Sequence, residues 1–156
     1  MRRYDKVVFL STGNTFRSPI AEAVYRELAP TWLPEAVSRG IVVLFSEPIS
    51  PKVNVSLSDH EYGVSDHENS KIFSTDEITA DTLVLTMTLS EKVKVIEDFG
   101  IEKNVYTIGE YIEDNVDISN PYGGDEEQYE KFFNEISEKI EKVILRMEAE
   151  YHEDEE

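Results

Sequence analysis

Ser11, Thr12, Gly13, Asn14, Thr15, Phe16, Arg17 and Ser18 stand between the apolar run Val7-Val8-Phe9-Leu10 and Pro19, and they gather hydroxyls, a carboxamide and a guanidinium into one short loop. Those groups suit the holding of an oxyanion. Gly13 and Asn14 are the residue types that tolerate positive φ, which lets successive backbone N–H groups turn toward a common centre. Arg17 adds a planar fork that matches a phosphate. A strand followed by Gly-Asn and a helix is by itself ordinary loop chemistry, and Arg17 could instead pair with a structural carboxylate. Completion of the pattern by Arg17, Ser18 and Pro19 favours a ligand site.

The elements that must position this loop are legible on either side of it. Four apolar residues in succession predict a strand, Lys6 to Leu10, buried on both faces as in a parallel sheet. Ser18 is placed to cap a helix over Pro19 to Ala29, in which Ile20, Val24 and Leu28 form one stripe. Further strands are predicted at Ala36 to Val42, Thr82 to Thr86 and Asn104 to Thr107. A second helix is predicted over Pro51 to Tyr62, capped by Ser50 and stopped at Gly63. A third runs from Glu91 to Phe99, with Ser90 as cap, Val93 and Ile96 inward and Gly100 as stop. Asp125, Glu126 and Glu127 favour the positive end of a last helix, whose apolar face is Tyr129, Phe132, Phe133, Ile136, Ile140, Val143, Ile144 and Met147. This alternation predicts an α/β three-layer sandwich: a central four-stranded parallel sheet with helices on both faces. Ligands of such sheets sit at the carboxyl ends of the strands, where the Ser11–Ser18 loop falls. Residues 1–150 are read as a single domain and 151–156 as an acidic tail.

The loop resembles that of the low-molecular-weight protein tyrosine phosphatase family, which reads roughly Val-Cys-x-Gly-Asn-x-Cys-Arg-Ser-Pro. Gly13, Asn14, Arg17, Ser18 and Pro19 match, as do Ala21 and Glu22 after them, while Ser11 stands at the nucleophile position and Phe16 at that of the second cysteine. Thr82-Leu83-Val84-Leu85-Thr86-Met87-Thr88 is similar to the family's third strand, and Asn120-Pro121-Tyr122-Gly123-Gly124 to its Asp-Pro-Tyr-Gly-Gly loop. Ser38-Arg39-Gly40 stands where the family often has Ser-Ala-Gly. From about Tyr4 to the last helix the chain follows the family pattern, which implies a flavodoxin-like fold.

The resemblance implies phosphomonoester hydrolysis through a cysteinyl-phosphate, with an aspartic acid protonating the leaving group. This chain departs at both reactive positions. A cysteine of pKa ~8.5 can be lowered to ~3.5–7.5 by a helix N-terminus and an arginine, but a serine hydroxyl is not ionised by so modest a perturbation. Asn120, at the general-acid position, has no transferable proton near neutral pH. Hydrolysis close to background is therefore expected, with phosphate or a phosphorylated side chain, phosphotyrosine or phosphoarginine, still bound by residues Ser11 to Ser18. The resemblance gives the residue matching Ser18 a hydrogen bond to the nucleophile, and the residue matching Asn14 the task of keeping the loop in shape. Thr15 is similar to the threonine of members acting on phosphoarginine. Tyr122 is the candidate for the pocket rim. Two alternatives stay open: an active protein-tyrosine or protein-arginine phosphatase carrying substrate-trapping replacements, and an interaction protein that no longer uses the pocket.

Composition sets the outer bounds. The chain has 156 residues, no cysteine and a formal net charge of −18, about half of that excess lying beyond Gly124. Such a charge argues against nucleic acid or an anionic membrane as partner. Screening over ~8 Å at physiological salt still lets a local cradle attract an anion. His60, His67 and His152 show no ligand spacing and are read as structural or exposed, so no metal or cofactor is expected. No Gly-x-Ser-x-Gly or Walker A pattern is present. With no apolar stretch near membrane-spanning length and no signal-peptide pattern, a cytoplasmic location is expected. The oligomeric state is left open.

Overall fold

The computed structural model describes residues 4–121 and 124–155, with side chains to residue 151. Tyr122, the expected rim residue, and the side chains of the acidic tail from His152 onward lie outside the described residues. Strand β1 (Lys6–Ser11) pairs in parallel with β2 (Glu35–Gly40) and with β3 (Thr82–Thr86), and β3 pairs in parallel with β4 (Val105–Thr107). The strand order is β2-β1-β3-β4. The helices are α1 (Arg17–Leu28), α2 (Pro51–Asp59), α3 (Leu89–Phe99), the single turn α4 (Ile108–Tyr111) and α5 (Glu126–Glu155).

The period-two alternation of β1 divides the core between two layers. Val7 and Phe9 join Ile20, Val24, Leu57, Phe133, Ile136 and Ile140, the inward faces of α1, α2 and α5. Val8 and Leu10 join Val84, Val105, Phe73 and Val95, the last from α3 on the opposite face. Each such side chain contributes roughly 1.5–3 kcal/mol on burial, and β1, covered on both faces, holds the loop that follows it. This is the expected three-layer sandwich around a four-stranded parallel sheet. Among the described residues no helix is long and apolar enough to cross a membrane.

Several boundaries differ from expectation, each for a local reason. Helix α1 begins at Arg17, with Phe16 at its N-cap and no side-chain cap, because the Ser18 hydroxyl is engaged with Ser11 and Asn14 instead. Strand β2 stops at Gly40, since the amides of Ile41 and Val42 turn to the carbonyls of Ser11 and Thr12. Asn104, at φ 60°, cannot extend β4 backward. Helix α2 ends at Asp59, and Glu61 at φ 62° turns the chain before Gly63 is reached. Helix α3 is capped by Thr88 rather than Ser90, and its inward residues are Glu91 and Val95, an i, i+4 pair, whereas Val93 is 44% exposed. Ser50 and Gly100 terminate their helices as expected.

Phe16 has a clear structural use. Its ring meets Tyr129 edge-on at 5.3 Å between centroids and Phe132 at 5.1 Å, which fastens the loop to the start of α5. Removing a partly buried aromatic that closes two such contacts costs about 2 kcal/mol. Phe16→Ala is therefore expected to lower the unfolding free energy by that much, read as a lower urea midpoint at unchanged slope, with the change in hydrogen exchange concentrated in the first turns of α5.

Candidate functional site

Asn14 shapes the loop between β1 and α1. Its φ of 57° is a left-handed conformation that asparagine tolerates better than most residues. The side chain is fully buried and all four of its hydrogen-bonding positions are used. Nδ2 donates to Ser18 Oγ at 2.9 Å and Ser38 Oγ at 3.1 Å, while Oδ1 accepts from His67 Nε2 at 2.7 Å and from the Lys71 amide at 2.9 Å. Helix α1, strand β2 and the segment before β3 are thus tied to one side chain. Gly40 lets β2 come this close: a Cβ there would lie 3.0 Å from Asn14 Cβ and 3.2 Å from the Gly13 carbonyl carbon.

His67 and Glu22 complete the surroundings. Burial, and then the positive charges of Lys71, Arg39 and Arg26, push the His67 imidazole down to about 4. It is therefore neutral at pH 7, and its hydrogen sits on Nε2, facing the Asn14 carbonyl oxygen. Burial also raises the Glu22 carboxyl above the ordinary carboxylate range, an effect opposed by Arg26 and Ser38.

Ser11 closes the loop at the carboxyl end of β1. Its Oγ lies 2.6 Å from Ser18 Oγ and accepts from the Asn14 amide at 3.3 Å. Ser18 Oγ already accepts from Asn14 Nδ2, so its own hydrogen is available to Ser11. Among the described residues, the amides of Gly13, Thr15, Phe16 and Arg17 have no hydrogen-bond acceptor. They cluster at the start of a twelve-residue helix, where the macrodipole favours negative charge.

Arg17 is 8% exposed and does pair with a carboxylate. Nη1 donates to Glu91 Oε1 at 3.3 Å and to the Ile118 carbonyl at 2.9 Å, and Nη2 donates to Glu91 Oε2 at 2.9 Å. The end of the fork is occupied. Nε–H and the neighbouring Nη2–H, two donors on one edge, have no partner among the described residues. Glu91 also accepts from Thr12 Oγ1 at 2.7 Å and Thr88 Oγ1 at 3.0 Å, which stabilises its buried charge.

Asn120 makes no hydrogen bond to the Ser11–Ser18 loop among the described residues, and the chain meets Arg17 two positions earlier, at Ile118. The Ile118 amide donates to the Met87 carbonyl at 2.8 Å, and its own carbonyl takes the Arg17 bond. Asn120 is exposed and lines a cleft of about 450 Å³ with Asp117, Asp125, Glu127, Lys131 and Phe132. Sequence reasoning placed Ser11, Asn14, Arg17 and Ser18 together and missed Glu91, Ser38 in its bonding role and His67. Glu91 carried a usable signal: Thr88-x-x-Glu91 after a strand is a helix-start pattern at the ligand end of the sheet. His67 carried none.

Known proteins are similar to this chain along nearly all its length. The family model for low molecular weight phosphotyrosine protein phosphatase matches residues 6–153. The low molecular weight protein-tyrosine-phosphatase PtpB of Staphylococcus epidermidis is 32% identical over 143 residues, covering 92% of this chain and 99% of that protein. A low molecular weight protein tyrosine phosphatase from T. tengcongensis superposes with a TM-score of 0.81 at 30% identity, over 90% of this chain and 98% of the other. A cysteine-to-serine mutant of the YwlE arginine phosphatase, with its active-site serine phosphorylated, superposes with a TM-score of 0.83 at 25% identity, over 94% and 98%.

The neutral His67 makes stability pH-dependent. Its folded pKa lies below the unfolded value, so the unfolded chain binds the extra proton, and this contribution, complete above about 6.5, is lost as pH falls toward about 4. Urea midpoints across that window are expected to fall more steeply in the unsubstituted chain than in His67→Gln. The difference can reach the ~1.4 kcal/mol per pH unit that one proton allows.

Proposed function

The chain belongs to the low-molecular-weight phosphotyrosine protein phosphatase family, and from that membership we propose that its Ser11–Ser18 loop binds phosphate or a phosphorylated protein side chain while hydrolysing it little or not at all. The observation that carries this reading is the set of amides of Gly13, Thr15, Phe16 and Arg17, which have no acceptor among the described residues, beside the open Nε edge of Arg17. Asn14, held by four hydrogen bonds, keeps those amides at the start of α1 without help from a ligand. Arg17 contributes its Nε edge, and Glu91 holds the other end of the fork still.

The impaired chemistry follows from two side chains. Ser11 is a weak nucleophile, and among the described residues no carboxylate or imidazole is bonded to its hydroxyl. Asn120 cannot protonate a leaving group, and general-acid catalysis is typically worth ~10²–10⁴ in rate. Serine also removes the negative charge that a thiolate would set against a phosphate dianion. Phe16, built into the packing of α5, favours divergence of the whole loop over replacement of its reactive groups alone.

Of the two phosphorylated side chains, phosphoarginine is the better fit. Thr15 is similar to the threonine of family members that act on phosphoarginine. The cleft beside Asn120 holds Asp117, Asp125, Glu127 and Glu135 against one cation, Lys131, and so suits a guanidinium. The similarity to an arginine phosphatase agrees with that preference.

Calorimetric titration with inorganic phosphate, vanadate, phosphotyrosine and phosphoarginine tests the reading. One saturable site is expected, lost in Arg17→Ala, and turnover of an aryl phosphate is expected to stay near the buffer blank. Ser11→Cys combined with Asn120→Asp is expected to raise that turnover measurably. Absence of heat with all four compounds from a folded protein overturns the proposal.

A further inference from the structure

At the end of the sheet remote from the Ser11–Ser18 loop, we propose a second ligand site: the cleft between β4, α4 and the second half of α5 takes a small, flat aromatic carboxylate. Tyr4, in its wall, precedes β1, and the six residues of that strand set it about 20 Å from Ser11. The two sites share no residue, so this one stands whether or not the loop holds phosphate.

The cleft arises from the lengths of its elements. β4 has three residues and α4 is a single turn, so the second half of α5 overhangs this edge of the sheet, and Ala149 leaves space beside it. Its volume of about 530 Å³ is that of a pocket for a small organic molecule. Tyr4 and Tyr111 are buried in the wall and Tyr106 is half-buried beside them, with the Tyr106 and Tyr111 ring centroids 5.8 Å apart. Aromatic walls of this kind receive a flat ring, stacked or edge-on.

Lys142 and Arg146 supply the charge. They lie one turn apart on the same face of α5, and both line the cleft. Arg146 is held in advance: Nε donates to Glu150 Oε1 at 2.8 Å, Nη1 donates to the Tyr111 carbonyl, and the guanidinium lies over the Tyr111 ring at 4.1 Å. Glu150 also accepts from the Tyr111 hydroxyl at 3.0 Å, a phenol whose ionisation is suppressed by burial and by Glu150. The Arg146 Nη2 has no partner among the described residues. The Lys142 ammonium meets Glu138 at 3.8 Å on exposed surface, a pair that contributes little. Capping α4 accounts for Nη1 and leaves Nη2 and Lys142 unexplained. A fixed guanidinium with one nitrogen to spare, beside an ammonium, is arranged for an incoming oxyanion.

The charge balance selects the class of anion. Glu113 and Glu150 also line the cleft, so its two cations and two carboxylates cancel before a ligand arrives. A phosphate dianion would leave the site doubly negative in a chain already at −18. A carboxylate adds one charge and offers the planar pair of oxygens that a guanidinium matches.

NMR observation of the full chain during titration with indole-3-acetate tests the proposal. Saturable shifts are expected in the amides of Tyr106, Glu113 and residues 142–150, and none in residues 11–18. Indole-3-acetamide lacks the charge and cyclohexylacetate lacks the aromatic ring, and each is expected to bind about tenfold more weakly. Lys142→Gln and Arg146→Gln should weaken the acid by a similar factor. Ala149→Leu fills the cleft from an exposed helical position and keeps every charge, so it should abolish the shifts while the rest of the spectrum stays native. Arg17→Ala should change nothing. Absence of saturable shifts, equal binding of acid and amide, or undiminished binding in Ala149→Leu overturns the proposal and leaves the phosphate reading untouched. Shifts confined to residues 11–18 and lost in Arg17→Ala overturn it by placing the acid in the loop. Tighter binding of the peptide Gly-Gly-Trp than of the free acid overturns the small-molecule reading in favour of a protein C-terminus.

Discussion

Everything at the carboxyl end of the sheet depends on one buried carboxamide. Asn14 combines a left-handed backbone with a side chain whose two hydrogens and two lone pairs are all engaged, by partners from α1, β2 and the segment leading to β3. A buried polar group left half-satisfied would be destabilising, whereas a fully satisfied one specifies a single arrangement. The loop is consequently held by its surroundings. Ser11, Ser18 and the free amides owe their positions to Asn14, and Asn14 in turn relies on the Nε2–H that His67 donates.

Around that fixed point the electrostatics are local. In a chain of net charge −18, Arg17 is buried against Glu91, so the pair adds no net charge to the proposed anion site. Attraction must then come from oriented dipoles at the start of α1 and from the unoccupied edge of the guanidinium. Such a site acts at short range. It discriminates by shape and hydrogen-bond geometry, since the field of the whole molecule works against an approaching anion.

The sheet and the loop could be read from the sequence because their signals are contiguous: four apolar residues, Gly-Asn, then Arg-Ser-Pro within one stretch. The three-layer architecture followed from alternation alone. What escaped notice depends on contacts distant in the chain. Glu91 meets Arg17 across 74 positions and His67 meets Asn14 across 53, and neither partner advertises the other. Ser18 misled for an instructive reason. A serine before a helix is ordinarily a cap, but here its hydroxyl completes a buried relay and the helix starts without one. Val93 misled likewise: it lies two positions from both Glu91 and Val95, about 200° around the helix, and so faces away from the sheet.

Phe16 and Ser11 together have a consequence for how such a loop endures its environment. Where sulfur would otherwise stand at both places, the chain has a hydroxyl and a hydrocarbon ring, the ring bound into the packing of α5. Low-pKa thiolates are the groups that peroxide and nitrosating agents convert to sulfenic acids, mixed disulfides and nitrosothiols. This loop has none to lose, and its chemistry is indifferent to the oxidants that silence a cysteine enzyme.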